Sequence, residues 1–383
     1  MAAMVTSNIL GTVVAMGLDT LREYLALVHI ANRDYENQIT AAKRFAVVNV
    51  AVPAAVTSRT VAPDVVPPAV TTVTPTSIPV QLSQWKEAPF AMDDKGLSQV
   101  DRNILPMQAA EAVKSVANGI EDYLWSLTHG ALGFYGFAGV SGTTPFAADL
   151  GAYLDARKIA NNQLAALDPR YTVINSDAEA NALGLRAFQD ASFRGDTAGI
   201  IDGQIGRKLG ALWLMSQRVP THTAGTATAG YLVNNGAGYA IGTSTITVDG
   251  GALGTLVLGD IISFSGHTQT YQVQSTVGGS TITSITFNPP LVAAIVDNEP
   301  LTKRASFVMN TLIQRDALTF AMAPLSDTVQ VPGATLTATA VDVVSGFSLR
   351  VEVSRQHRQV QWSFDALYGG AVPRPNAGVF IAG

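Results

Sequence analysis

A chain of 383 residues in which 14% are charged and 47% hydrophobic cannot coat its own surface with charge, since a typical soluble domain has roughly 25% charged residues. No run reaches the about 18 apolar residues of a membrane span, so the excess apolar surface implies coverage by protein, as in an obligate oligomer whose interfaces resemble a core cut in half. The absence of cysteine removes disulfides, thiolate zinc sites and cysteine nucleophiles together and fits a cytosolic origin, while a net charge of −5 with no basic block excludes gripping nucleic acid as the main work.

Residues 1–17 are apolar, but no Lys or Arg precedes their hydrophobic residues, which argues against a secretory signal. Leu18, Leu21, Leu25, Val28 and Ile30 predict a first helix over 18–31, ended by the polar break Asn32-Arg33-Asp34-Tyr35. Residues 45–84 then carry Pro53, Pro63, Pro67, Pro68, Pro75 and Pro79 among Val, Thr and Ala, with only Arg59 and Asp64 charged. Each proline removes a backbone donor and fixes φ, which excludes a helix or a central strand and predicts an extended arm or open hairpin. So many valines would expose much apolar surface, which a disordered linker avoids. The arm lies either on its own domain or on another subunit.

Residues 85–97 read as a mixed polar stretch. A long helix follows, with Asn103 as N-cap, Pro106 in the tolerated first turn, and Leu105, Ala109, Val113, Val116, Ile120, Leu124 and Leu127 at helical spacing. His129-Gly130 predicts its end, with Gly130 in the left-handed position. Thr144-Pro145 predicts the cap and first residue of a helix stopped by Asp168-Pro169. Residues 171–175 read as a short buried strand, and Ser176 with Glu179 forms a capping box for the next helix. That pattern accounts for Asp177 and Glu179 without catalysis. Residues 200–219 continue this block.

From Thr223 to Val296 the only charges are Asp249 and Asp260, and apolar residues alternate with Thr and Ser. Strands are predicted at 244–248, 255–258, 261–264, 269–274 and 280–287, separated by Gly250-Gly251, Gly259-Asp260, Gly266-His267, Gly278-Gly279 and Pro289-Pro290. Short strands punctuated in this way predict a small all-β barrel or sandwich, inserted because a helical pattern resumes at 306–320. Near the end, apolar residues sit on odd positions from Leu349 to Val353 and on even ones at Val360, Trp362 and Phe364. The parity change implies a bulge or two strands meeting near 356–358.

No motif for chemistry emerges. Gly236-Ala237-Gly238 with Gly242 has its third glycine one place too late for a dinucleotide fingerprint, and no phosphate loop, H-E-x-x-H or G-x-S-x-G occurs. His29, His129, His222, His267 and His357 are isolated from one another in sequence, and metal-ligand spacing is absent. The sequence therefore assigns no catalytic, cofactor-binding or metal-ligating residue and no cofactor.

Four segments carry a family resemblance in their order: Ile30-Ala31-Asn32-Arg33-Asp34-Tyr35; Met215-Ser216-Gln217-Arg218-Val219-Pro220-Thr221-His222-Thr223; Arg315-Asp316-Ala317-Leu318-Thr319-Phe320-Ala321; and Phe364-Asp365-Ala366-Leu367-Tyr368-Gly369 with Arg374-Pro375. The chain resembles the major capsid proteins of tailed double-stranded DNA bacteriophages, of Hong Kong 97-like fold. Within these it resembles the coat-protein family of short-tailed Salmonella phages, which carries an inserted β-barrel. The resemblance implies an α+β fold in seven parts: an N-terminal arm and helix (1–44), an E-loop (45–97), a peripheral domain with a spine helix (98–139), an axial domain (140–222), the inserted barrel (223–303), the rest of the axial domain (304–345), and peripheral C-terminal strands (346–383). It further implies a structural, non-enzymatic role. Many copies would form pentamers and hexamers of an icosahedral shell, first on a scaffolding protein, then expanding as DNA is packaged.

The implied partners are the chain itself, a scaffolding protein, a portal protein, a decoration protein and packaged DNA in weak non-specific contact. The implied location is the virion, assembled in the bacterial host cytoplasm. Some relatives carry a charged hairpin on the insert that reaches adjacent capsomers. With only Asp249 and Asp260 charged from Thr223 to Val296 and no Lys or Arg before Lys303, this insert implies apolar or backbone contacts, or a cementing protein, in place of a salt-bridged tether. Other readings are a tail-tube, decoration or adhesin-type protein with a ligand-binding β-module, a hydrolase using Asp177 or Asp202 with a distant His, and an encapsulin-like compartment. The phage-type insert and strand ending count against the last.

Overall fold

The computed structural model describes residues 17, 25–35, 47–52, 56, 58, 60–61, 72, 74–99, 104–189, 203, 205–228, 230–251, 253–279, 281–325, 335–341 and 347–383. Of the helix expected over 18–31, residues 18–24 lie outside the described residues; in the remainder Leu27–Ile30 is helical and Leu25 and Ala26 before it are not. The amides of Ala26 and Leu27 bind the Glu121 side chain, so they cannot close helical turns onto the carbonyls four residues earlier.

The proline-rich segment forms the expected open hairpin. Val48–Val52 pairs antiparallel with Thr76–Val80, and Pro79, which lacks an amide hydrogen, stands opposite Asn49. The mixed polar stretch after it holds an unpredicted strand, Gln84–Asp93, in which Ala88, Phe90 and Met92 are half-buried between exposed neighbours.

The long helix spans Ile104–Thr128 and buries Ala109, Val113, Val116, Ala117, Ile120 and Leu124 along one stripe. Asn103 lies outside the described residues. The end falls where predicted but for another reason, because Gly130 does not take the left-handed conformation. Instead the Thr128 hydroxyl donates to the Trp125 carbonyl at 2.7 Å, and His129 Nδ1 lies 2.9 Å from the same oxygen, satisfying an orphan carbonyl of the last turn.

The helix lies across a terminal five-stranded sheet. Its central strand, Gln359–Ala371, pairs along one edge with Gln84–Asp93 through residues 359–368, and along the other first with Ser348–Gln356 through 359–365 and then with Thr319–Ala323 through 367–371; Ser348–Gln356 pairs in turn with Thr335–Val341. The parity change resolves as two strands: Gln356 faces Gln359 across a two-residue turn, with Arg358 at φ 55°. Val351 then faces Phe364, and both are buried against the helix side. Tyr368 donates to the Gly119 carbonyl at 3.2 Å, tying sheet to helix. At Gly369 a Cβ would lie 1.9 Å from the Gln81 carbonyl oxygen, so only glycine fits there.

A second, six-stranded sheet runs in the order Gly136–Ala138, Gly378–Ile381, Thr311–Gln314, Arg170–Ile174, Ala211–Met215, Gly206–Lys208. The helical pattern expected at 306–320 is instead strand Phe307–Val308, strand Thr311–Gln314, a 3-10 turn Arg315–Ala317 and strand Thr319–Ala323. Every residue of the Thr311–Gln314 and Thr319–Ala323 strands is buried. Strands covered on both faces lose the alternation that distinguishes them from a helix. The last stretch, expected to be peripheral throughout, divides, because Gly378–Ile381 enters this second sheet beside Thr311–Gln314.

The helix expected from Thr144-Pro145 begins later and spans Gly151–Asn162, after Phe146 turns the chain at φ 68° and Asp149 Oδ1 accepts the Gly151 amide. The next helix, Ser176–Gly184, is capped by Asn175 rather than Ser176: the Asn175 side chain accepts from the Ala178 amide at 3.1 Å.

The insert is a barrel. Its strands lie in the order Leu301–Lys303, Ile261–Phe264, Tyr271–Val277, Ser284–Asn288, Thr245–Asp249, Leu232–Val233. The first and last edges meet, with Leu232 bridging Pro300 and hydrogen bonds from Leu301 to Tyr231 and from Val233 to Glu299. Closure removes both sheet edges. The strand expected at 255–258 is a loop, since the Val257 amide binds Asp260 and the Thr255 amide binds Thr226. The barrel packs around its own core, including Tyr231, Phe264, Tyr271 and Phe287, separate from the core shared by the long helix and the two sheets.

Candidate assembly surfaces and their anchors

Three of the four segments that carry the family resemblance meet at one polar knot. Asn32 donates to Asp316 at 2.8 Å, Arg315 pairs with Asp34 at 2.9 Å, and Arg374 reaches Asp316 at 3.9 Å. The backbone joins in, with the Asn32 amide bound to the Leu318 carbonyl and the Phe320 amide to that of Asn32. Arg33 lies over the rings of Phe347 and Phe320, 5.0 and 5.9 Å from their centroids. Residues nearly 300 positions apart are thus one junction at the root of the arm.

From that root the hairpin leaves the body. Val50, Val80 and Leu82 are buried against Ala321, Ala323 and Leu367 in a small cluster to which Tyr35 adds. Further out, among the described residues, Val56 is 76% exposed and Val61 86%. Burying a valine contributes about 1.5 kcal/mol or more, so this chain alone leaves that stabilisation unrealised. The strand after the hairpin is pinned by Asp365, whose carboxylate accepts from Trp85 Nε1 at 2.7 Å and pairs with Arg350 at 2.5 Å.

Asp249 and Asp260, the two acids between Thr223 and Val296, meet unequal fates, and the second anchors the barrel. Asp260 is fully buried; it accepts from the Val257 amide at 2.9 Å and the Gly225 amide at 3.2 Å, and lies 2.9 Å from His222 Nε2. His222 sits on the short ladder Thr221–His222 with Phe307–Val308, where the chain enters and leaves the insert. The fourth family segment ends at this point. Gly259, left-handed at φ 92°, brings the turn within reach of His129 and His222, whose rings lie 6.2 Å apart. Burial lowers the pKa of His129, partly offset by its bond to Trp125. Asp249 is exposed, and no ion pair to it occurs among the described residues. Around the outside Ile241, Leu253, Val277, Val292 and Val296 are exposed, beside threonines and serines.

The other sequence candidates do not converge. His267 contacts Tyr271 inside the barrel, His29 rests near Phe347, and His357 occupies the terminal hairpin turn. Asp177 lies in the first turn of its helix near Asn175, and Asp202 is outside the described residues. Gly236, Ala237 and Gly238 form a barrel loop closed by Asn235. A cleft of about 810 Å³ between the Leu27–Ile30 segment, the long helix and the strand Ala211–Met215 is lined by His29, Lys114, Asn118, Leu214 and Arg218, with Arg218 paired to Asp122. Among the described residues no group of His, Asp and Glu could hold a metal ion, and no helix is long and apolar enough to cross a membrane.

No protein-family model matches the chain, and no curated protein matches it. Among solved structures it is similar to that of Mycobacterium phage Che8, at 15% identity and TM-score 0.49 over 93% of this chain and 90% of that one. It is similar to the capsid structure of cyanophage P-SCSP1u, at 9% identity and TM-score 0.47 over 89% of each chain. A third likeness is to the asymmetric unit of the bacteriophage PhiM1 mature capsid, at 11% identity and TM-score 0.45 over 88% of this chain and 81% of that one.

Proposed function

We propose that this chain is a major capsid protein whose copies close into an icosahedral shell around double-stranded DNA. The arm carries the reading: a hairpin tied to the body by a polar knot and a small apolar cluster, with Val56 and Val61 held out bare. An arm built in this way gains its missing burial on a neighbouring subunit. The long helix is the spine of a peripheral domain that takes the terminal five-stranded sheet, Thr319–Ala323 and Thr335–Val341 included; the second sheet with its helices is the axial domain around capsomer centres, and the barrel projects from it.

Assembly proceeds in the host cytoplasm on a scaffolding protein, with a portal at one vertex, and the shell expands as DNA enters. Expansion needs two packings of similar free energy, and no bond chemistry by this chain. Because Asp260 is consumed inside the subunit, Asp297 and Glu299 accept from the barrel's own Asn235 and Val296 amides, and Asp249 has no ion pair among the described residues, contacts of the barrel with adjacent capsomers are apolar or backbone-mediated, or a decoration protein supplies them. Negative-stain electron microscopy of the purified chain, with and without a co-expressed scaffold, tests the reading. Closed shells, or pentamers and hexamers that close with the scaffold, are expected. A monodisperse monomer or a rod under both conditions overturns it.

A further inference from the structure

Glu121 lies in the middle of the long helix, between the core residues Ile120 and Leu124, and is 0% exposed. Its Oε1 accepts the amide hydrogens of Ala26 and Leu27, the latter at 2.9 Å, while its buried Oε2 has no hydrogen-bond partner. A buried carboxyl with one oxygen unsatisfied is costly in its charged form. The segment it holds is short, with one helical turn, Leu27–Ile30, and the apolar anchors Leu25, Leu27, Val28 and Ile30. The family resemblance gives this carboxyl no role.

We propose that Glu121 is the latch of a strap: segment 25–31 lies clamped to the long helix while the Glu121 carboxyl is buried against the Ala26 and Leu27 amides, and lifts from the helix when that carboxyl takes up water. The charged and titratable groups around the latch are Asp122 and Lys114 on its own helix, His29 on the strap, Arg218 after the strand Ala211–Met215, and Tyr368 on the terminal sheet. Burial raises the Glu121 pKa from 4.5 to about 7, against the lowering effect of the two amides; Asp122 raises it further and Arg218 lowers it.

A clamped carboxyl that holds its proton more tightly than a released one makes protons favour the clamp. That contribution is fully present below 4.5 and is lost as pH rises through about 7. Within the window the ratio of clamped to released strap falls about tenfold per pH unit, and above it the ratio is level. The device is independent of shell formation and belongs to the single subunit.

Amide hydrogen exchange of the full-length chain, followed by mass spectrometry on peptides covering 25–31 and corrected for the intrinsic rate, reads the clamp directly. Protection of Ala26 and Leu27 should fall by about tenfold per unit from pH 5 to 7 and then level, and should not vary with pH in Glu121→Gln. Protection that is flat in the parent chain, or equally steep in Glu121→Gln, overturns the proposal. Should Glu121→Gln fail to fold, Asp122→Asn and Arg218→Gln decide. The upper end of the window should move to lower pH in the first and higher pH in the second, and an unmoved window in both overturns the latch.

Discussion

Two aspartates of similar sequence context in the barrel differ in what surrounds them. Asp260 is enclosed by His222 and the amides of Val257 and Gly225, whereas Asp249 ends a strand in solvent. Removing the Asp260 carboxylate leaves the buried His222 ring and the Gly225 and Val257 amides without their partner, so Asp260→Ala should cost about 3 kcal/mol, while Asp249→Ala should stay within about 0.5 kcal/mol. Urea unfolding of the two variants measures both values, and equal midpoints would contradict the anchoring role. The acid was visible as a turn residue after Gly259. Its partner was not, because His222 stands 38 positions away and only barrel closure brings the two together.

Among the elements, the arm was the most legible and the strands after the barrel the least. Prolines act locally, through a missing donor and a fixed φ, so an open hairpin could be read from residues 45–84 directly. Buried strands act through neighbours: Thr311–Gln314 and Thr319–Ala323 are covered on both faces, so their apolar runs carry no period of two. Strand Gln84–Asp93 had its alternation at Ala88, Phe90 and Met92, hidden by Trp85, Lys86 and Glu87. Since Val61 touches little in its own subunit, Val61→Asp should change subunit stability by less than about 0.5 kcal/mol yet abolish closed shells. Denaturation midpoints together with electron micrographs check this, and intact shells from the variant would remove the arm from assembly.

For the molecule as a whole, the decisive quantity is charge. With 14% charged residues and a barrel outside of Thr, Ser, Ile, Leu and Val, the proposed shell would be held by chiefly apolar contacts between copies. Such contacts are little screened by salt and weaken on cooling. Preformed shells should therefore keep their sedimentation profile between 0.1 and 1 M salt, at Debye lengths of about 10 and 3 Å, and loosen near 0 °C. Dissociation by salt alone would show that ion pairs hold the shell.

Composition, proline placement, turn glycines and the parity of apolar residues are local properties, and they determined by themselves that charge cannot coat this chain's surface, that residues 45–84 are extended, that an all-β stretch is inserted, and that the apolar pattern breaks near 356–358. Only the tertiary structure decided that the insert closes into a barrel, that Gly378–Ile381 enters the second sheet, and that Asn32, Asp34, Arg315, Asp316 and Arg374 form one knot. It also decided that Glu121, one acid among many on a helical pattern, is sealed beneath the Leu27–Ile30 turn. Such contacts link residues far apart in sequence, and their energy comes from desolvation and packing, which exist only once the chain has closed around them.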